Sequence, residues 1–320
     1  MQRQPPETYG QRKSTDLTCS VVVCTRDRPD ALDECLAAVS AVAPGAEIMV
    51  VDSAPRYANA EQTASRRGAR YILETRPGIS RARNRAARES ASDILAFIDD
   101  DSVPEAGWLE PLLAEFADPK VALVAGRVLP PDADREMLPT YAWFGMVDLG
   151  PERKVFDRAV EGWYGLTNLG GVGLGANISV RRSVFNGWQG FDERLGAGAH
   201  ISGHEELKAF FELVDRGFRL VYAPRSVVRH AFPHSIEELR RRGLRAVEAS
   251  AAYLTLLLFE QPAYRRETWD YIKGKLVRIK PLYRPEATSG NPLAPGYRIL
   301  LARIKGVLLY FATRLSDKRW

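Results

Sequence analysis

Asp93-Ile94-Leu95-Ala96-Phe97-Ile98-Asp99-Asp100-Asp101, closed by Pro104, is the stretch on which the fold turns. Five apolar residues in a row predict a strand buried on both faces, and that strand runs directly into three carboxylates. Hard carboxylate oxygens suit Mg²⁺ or Mn²⁺, cations that keep several waters and bridge substrate phosphates. Three acids at one strand end also repel one another unless a cation sits among them. A solvated turn or a helix cap is the plainer alternative for the same three residues.

Upstream, residues 17–24 are apolar and β-branched and predict a first strand. Residues 30–42 carry Leu32, Leu36 and Val39 at helical spacing. Residues 47–52 predict a second strand that ends in Asp52, 60–67 a helix, 70–73 a third strand and 80–90 an Arg-rich helix. Downstream, a helix is predicted at 108–116 and a strand at 121–126. Strands alternating with helices imply βαβ units and a mostly parallel sheet, an α/β, Rossmann-like architecture flanked by helices. Such sheets bind ligands at the carboxyl ends of their strands, so Asp52 and the triple Asp are expected in one crevice.

Residues 130–170 read as irregular, with aromatics at Tyr141, Trp143, Phe144, Trp163 and Tyr164. Gly170–Gly175 is a glycine-rich turn that leads into Ala176-Asn177-Ile-Ser-Val180. It is not the dinucleotide fingerprint, because no strand precedes it and no paired acid follows at the required distance. A helix is predicted at 205–216, a strand at 219–222, an extended piece at 227–230 and a long helix at 236–259. Residues 262–295 are mixed and Pro-rich near their end, and 297–315 predict a second helix that mixes apolar residues with cations. That helix suits either the surface of an anionic membrane or packing on the rest of the protein.

The chain has 320 residues, a formal net charge of +5 and a pI near 9.1. A mildly basic balance suits an anionic ligand or membrane surface, and equally a solvated Arg-rich exterior. The basic residues are dispersed with no interleaved stacking motif, which argues against nucleic acid. Cys19, Cys24 and Cys35 show no CxxC spacing and are expected as small core residues of a reducing compartment. Residues 1–16 lack an apolar core, so a polar leader is expected rather than a secretory signal. No uncharged apolar run reaches the roughly 18 residues of a membrane span. The expected location is the cytoplasm, with the inner face of the cell membrane as an option.

Other candidates stand outside the triple Asp. Asp52 can accept a hydrogen bond from a base or ribose, or simply cap its strand. Gly78-Ile-Ser-Arg81-Ala-Arg83-Asn84-Arg85 opens a helix, where Arg forks and the helix N-terminus favour phosphate. Alternate arginines diverge on a helix, so one or two of Arg81, Arg83 and Arg85 can face a ligand. Glu205 and Glu206 open a helix, where acids are favoured by the dipole and one can also serve as a general base. His230 and His234 are either metal ligands or surface histidines.

Taken in order, these segments resemble family 2 of the glycosyltransferases, with its A-type glycosyltransferase fold. Ser20-Val-Val-Val-Cys-Thr25-Arg26-Asp27-Arg28-Pro29 is similar to the family's first strand and nucleotide loop, and Ile48-Met-Val-Val-Asp52 to its second strand. Gly78 to Asn84 resembles the helix start "ARN", and Phe97-Ile-Asp-Asp-Asp101 the DxD motif. Gly175-Ala-Asn177 and Gly190-Phe-Asp-Glu193 resemble acceptor-side segments. Glu205-Glu206 with Gly217 and Val221-Tyr-Ala-Pro224 resembles the stretch GGED…GxxxxYxP, followed by a late His at His230. The resemblance covers roughly residues 18–260.

The resemblance implies a catalytic domain over 17–235 and a helical C-terminal extension over 236–320. It implies that Thr25, Arg26, Asp52, Arg81, Arg83, Asn84, Asp99 and Asp100 hold the nucleotide-sugar. Asp101, Asp99 and His230 would hold Mn²⁺ or Mg²⁺, and Glu206 would be the base of an inverting transfer, with Glu205 as its rival. The acceptor would be a saccharide or a lipid-linked hydroxyl, in cell-surface or exopolysaccharide assembly. The chain departs from the pattern at His204 (usually Gly), Glu206 (usually Asp), Lys208 (a second acid) and Glu212 (an Arg). Those departures leave a non-catalytic sugar-nucleotide-binding partner as an alternative. A nucleotidyltransferase is a second one, though the loop Thr25–Pro29 lacks the glycines its phosphate loop requires.

Overall fold

Three consecutive valines, Val21 to Val23, are fully buried at the centre of the sheet, as expected of a parallel strand covered on both faces. They belong to β1 (Cys19–Thr25), which pairs in parallel with β2 (Glu47–Ser53) on one side and β4 (Ile94–Asp99) on the other. β3 (Arg70–Glu74) continues the parallel set beyond β2. Helices α1 (Pro29–Val42), α2 (Asn59–Arg66) and α3 (Ile79–Glu89) connect these strands. The structure is a computed structural model and describes residues 17–133, 148–233, 235–277 and 296–316. The expected leader at 1–16, the aromatics Tyr141, Trp143 and Phe144, and His234 lie outside the described residues.

After β4 come β5 (Ser102–Pro104), α4 (Leu109–Glu115), β6 (Val121–Leu129), β7 (Lys154–Phe156) and α5 (Trp163–Asn168). Then follow β8 (Asn177–Arg181), a 3₁₀ turn at Arg182–Asn186, α6 (Glu205–Asp215) and β9 (Arg219–His230). Among the described residues these nine strands form one sheet in the order β3-β2-β1-β4-β8-β6-β9-β5, with β7 paired to β9. β8 runs antiparallel to β4 and β6, and β5 and β7 run antiparallel to β9, so the sheet is mixed but mostly parallel on its β1 side.

The strand and the extended piece expected at 219–222 and 227–230 are one strand. The register against β6 jumps from Gly126↔Ala223 to Arg127↔Val227, which leaves Pro224 in a bulge, where a residue without an N–H does no harm. Gly126 is required here. A Cβ on it would lie 2.1 Å from Asn177 Nδ2 and 2.7 Å from the Ser226 carbonyl oxygen. Asn177 donates to the carbonyls of Arg127 (3.2 Å) and Ser226 (3.1 Å) and accepts from Trp108 Nε1 (2.9 Å). One buried amide thus ties β6, β8 and β9 together.

The chain divides into two compact units. The first holds the sheet and ends its last segment at Ala231. The second holds α7 (Ile236–Glu260), α8 (Arg265–Val277) and α9 (Gly296–Ser316), and Arg194–His204 is grouped with it. Ser235 caps α7 by accepting from the Glu238 N–H. α8 lies in a stretch whose sequence reads as mixed. Of the cysteines, Cys24 and Cys35 are buried as expected, whereas Cys19 is only half-buried.

Candidate active site

Two registers set the site. Thr25 pairs with Asp52 across β1 and β2, and Cys24 pairs with Asp99 across β1 and β4. Thr25, Asp52 and Asp99 therefore stand at neighbouring carboxyl ends, in the one crevice expected of them. A third register, Ser102↔His230 between β5 and β9, brings His230 beside the triple Asp. β5 was not expected. Three residues carry no periodicity, and yet this short strand is what delivers the histidine.

His230 Nε2 lies 3.1 Å from Asp101 Oδ1 and 3.7 Å from Asp99 Oδ2. One ligand atom from each of Asp99, Asp101 and His230 falls within 4.8 Å of the others. Two carboxylates and an imidazole are a donor set that suits Mn²⁺ and also accepts Mg²⁺. Burial disfavours the imidazolium, but hydrogen bonds and charge from Asp101 and Asp99 outweigh it and push the His230 pKa up to about 10. Asp101 is half-buried, and although that burial disfavours its charge, His230 and Arg28 hold its carboxyl well below the usual carboxylate range.

The three acids do not do one job. Asp100 is buried, accepts from Thr25 Oγ1 at 2.7 Å and lies 3.1 Å from Arg28 Nη1. Burial pushes its pKa up to about 6, against the pull of Arg28 and Thr25. Arg28, which also pairs with Asp101, is a site residue the sequence reading missed. Its only signal was its place in the loop after β1. Asp27, in the left-handed region at φ 55°, accepts from the Arg56 N–H (2.7 Å) and Nε (2.8 Å). That contact ties the loop after β1 to the loop after β2. Arg26 is exposed, and its nearest acid is Asp27 at 3.9 Å.

Asp52 is fully buried. Tyr71 Oη donates to its Oδ2 at 3.2 Å, and Oδ1 has no partner among the described residues. Burial pushes its pKa up to about 6, with Tyr71 pulling the other way.

The helix α3 arginines divide as their spacing requires. Arg81 Nη1 donates to Glu193 Oε2 at 2.6 Å. Arg83 is buried and donates to Glu205 Oε1 (3.1 Å) and the Gly175 carbonyl (2.9 Å), with Asp99 Oδ1 at 3.9 Å. Its guanidinium lies over the rings of Phe191 and Phe97. Asn84 Nδ2 donates to the Phe191 carbonyl and its Oδ1 accepts from the Phe191 N–H, both at 2.8 Å. Arg81 and Asn84, expected on the nucleotide-sugar, are thus engaged by the 190–193 segment and hold it in place.

Glu205 and Glu206 open α6 and are not equivalent. Glu205 takes the Arg83 ion pair. Glu206 has a buried Oε2 with no partner among the described residues. Burial and then the neighbouring Glu205 charge push its pKa up from the usual carboxylate range. Lys208 lies 3.4 Å from Asp192 and pairs with Glu212, which accepts from Trp188 Nε1 at 2.7 Å. The departures at Lys208 and Glu212 therefore match each other. His204, at φ 68°, lies 3.0 Å from Ser250 Oγ through Nε2 and against the Tyr253 ring.

The family model described as glycosyl transferase family 2 matches residues 20–186. Asp52 and the triple Asp fall inside that span, whereas Glu205, Glu206 and His230 fall beyond it. Over 155 residues the chain is 32% identical to the pre-mycofactocin glycosyltransferase of Mycobacterium tuberculosis, covering 48% of this chain and 30% of that protein. Over 159 residues it is 29% identical to the glucosyl-dolichyl phosphate glucuronosyltransferase of Haloferax volcanii, covering 48% and 47%. The matches span less than half the length of these relatives. Among solved structures, glucosyl-3-phosphoglycerate synthase from Mycobacterium tuberculosis, in complex with Mn²⁺, UDP and glucosyl-3-phosphoglycerate, is 18% identical. It covers 77% of this chain and 84% of that one at a TM-score of 0.46.

Proposed function

The chain belongs to glycosyl transferase family 2, and on that premise we propose that it transfers a sugar from a nucleotide-sugar donor to a hydroxyl acceptor, with a divalent cation at Asp99, Asp101 and His230. The observation that carries the proposal is the convergence of those three ligand atoms within 4.8 Å at the carboxyl ends of the strands, beside Asp52. A bound Mn²⁺ or Mg²⁺ supplies positive charge where the departing diphosphate develops negative charge.

The remaining roles belong to the chain itself. Asp52 accepts a hydrogen bond from the base or ribose through Oδ1, which has no partner among the described residues and would otherwise be buried at a cost. Arg28 bridges Asp100 and Asp101 and so offsets the repulsion among the acids, while Asp99 and Asp101 face the ligand. Glu206 takes the proton from the acceptor hydroxyl as that oxygen attacks the anomeric carbon from the face opposite the diphosphate. Glu205 does not compete for this role, because its charge is matched by Arg83. A raised pKa makes ionised Glu206 a stronger base than an ordinary carboxylate. The acceptor is a saccharide or a lipid-linked hydroxyl, in line with the lipid-linked sugar in the name of the Haloferax relative. Cell-surface or exopolysaccharide assembly is the setting such an acceptor implies.

The test is thermal unfolding with UDP, GDP, dTDP or CDP, each with Mn²⁺, Mg²⁺ or EDTA. One nucleoside diphosphate should stabilise the fold only with the cation, by about 2.7 kcal/mol at a hundredfold excess over its Kd. No stabilisation by any of them at millimolar concentration, or equal stabilisation in EDTA, would overturn the proposal. Turnover of the matching sugar donor then separates an enzyme from a binding partner that only holds the nucleotide-sugar.

A further inference from the structure

We propose that the outer face of α9, with the cationic groove beside it, docks on an anionic membrane surface. The inference concerns the helical unit alone and does not rest on the sugar-transfer reading.

Helix α9 has two unlike faces. Gly306, Tyr310 and Thr313 are buried. A Cβ at Gly306 would lie 2.1 Å from the Glu248 carbonyl oxygen, so α9 and α7 meet there backbone to backbone. Leu300, Leu301, Ile304, Leu308, Phe311 and Leu315 recur at intervals of three and four on the opposite side. Leu301, Leu308 and Leu315 are 59%, 62% and 64% exposed. At a rise of about 1.5 Å per residue this stripe is roughly 22 Å long. Exposed apolar surface of that continuity marks a site that is covered in use.

Charge decides what covers it. Residues 296–316 contain Arg298, Arg303, Lys305 and Arg314 and no Asp or Glu. At about 100° per residue, Arg298 and Lys305 fall on one flank of the stripe and Arg303 and Arg314 on the other. An apolar stripe between two rows of cations is the pattern of a helix lying in the plane of an anionic membrane. A second copy of the same face would set cations against cations with no acid on either helix, which disfavours self-pairing. No helix among the described residues is long and apolar enough to cross a membrane.

A second feature points the same way. Between the N-terminal half of α7 and α9 runs a groove of about 820 Å³. Arg240, Arg241, Arg245, Arg298 and Lys305 line it against three acids. Leu301 belongs to both groove and stripe, so the excess positive charge lies at the edge of the apolar face, where phosphate headgroups would sit.

Co-sedimentation of the full chain with vesicles tests this, using phosphatidylcholine alone or mixed with phosphatidylglycerol, at low and physiological salt. The protein should partition onto the anionic vesicles, more weakly as salt rises, and not onto the neutral ones. Ile304→Asp with Leu308→Asp should abolish binding. Arg298→Gln with Arg314→Gln should lower it about 25-fold, at roughly fivefold per cation. Both variants alter exposed positions and should keep the wild-type melting temperature. The proposal falls if the wild type ignores anionic vesicles, or if the charge variant binds like wild type. It also falls if the Asp variant splits a solution dimer while vesicle binding persists, which would make the face a contact between copies. Nucleotide-dependent stabilisation is read separately, so failure here leaves the sugar-nucleotide site standing.

Discussion

Deprotonating His230 should set how tightly the site takes a divalent cation. The imidazole lies 3.1 Å from Asp101 and 3.7 Å from Asp99, and it holds its proton up to a pKa of about 10. A ligating histidine must be neutral, so the cation has to displace that proton. At about 1.4 kcal/mol per pH unit, the displacement costs roughly 4 kcal/mol at pH 7. Affinity should therefore rise about tenfold per pH unit between roughly pH 6 and 8, with close to one proton released per cation bound. Calorimetric titration with MnCl₂ in two buffers of contrasting ionisation enthalpy counts that proton. His230→Gln should release almost none and flatten the dependence on pH, which separates His230 from Asp100, whose pKa is near 6. The same shift governs the metal-free fold. A pKa raised above the ordinary 6.5 adds stability that is fully present below 6.5 and is lost as pH rises through about 10. Protection by cation against unfolding should grow across that window. Wild-type binding without proton release, or an undiminished slope in the glutamine variant, would refute the assignment of His230 as a ligand.

Three further outcomes follow from particular contacts. Glu206→Gln should lower turnover by about 10²–10⁴-fold while leaving cation-dependent nucleotide stabilisation intact, since the lost group is a proton acceptor; equal loss of binding, read by thermal shift, would make it a donor-site residue. Arg83→Met strands Glu205 in the interior and should cost about 3–5 kcal/mol in urea unfolding. Adding Glu205→Gln should recover much of that loss, and a double variant that merely sums the two single losses would refute the pairing. Gly126→Ala drives a methyl into Asn177 and the Ser226 carbonyl and should cost about 1–3 kcal/mol or more by urea unfolding. Gly187→Ala is the control, since its Cβ would meet nothing within 4 Å.

Much of this was legible because buried parallel strands write themselves as unbroken apolar runs. Val21–Val23 and Ile94–Ile98 are such runs, and the carboxylates that follow them marked the crevice. The strand β9 was legible only in pieces, because Pro224 looks like a terminator and only the partner strand reveals a bulge. β5 was invisible because its three residues are a strand only through their pairing with β9. Polar residues were the hardest to sort. Asn84 sits beside Arg83 in one motif, yet both ends of its amide hold Phe191. A side chain that binds the chain's own backbone and one that binds a ligand need the same chemistry, so composition cannot separate them. Arg28 failed in the opposite sense, since an exposed arginine in a loop gives no hint that it bridges two aspartates.

The triple Asp shows how one short motif serves two purposes. Burial separates its members. Asp100 is buried and held by Thr25 and Arg28, whereas Asp99 and Asp101 are half-buried and lie with His230. Clustered carboxylates repel, and Arg28 offsets part of that repulsion by binding the middle acid together with Asp101. The protonated His230 offsets much of the rest, and a cation held there would take over as that proton leaves. The arrangement survives only while two registers hold. β4 must stay aligned with β1 at Asp99, and β5 with β9 at His230. A slip of one residue in either pairing would reverse which side chains face the crevice. The fully buried valines of β1 and the Asn177 bracket at Gly126 guard against such slips. The core thus acts on the chemistry through alignment, and the acids can be placed close together because the strands beneath them cannot shift.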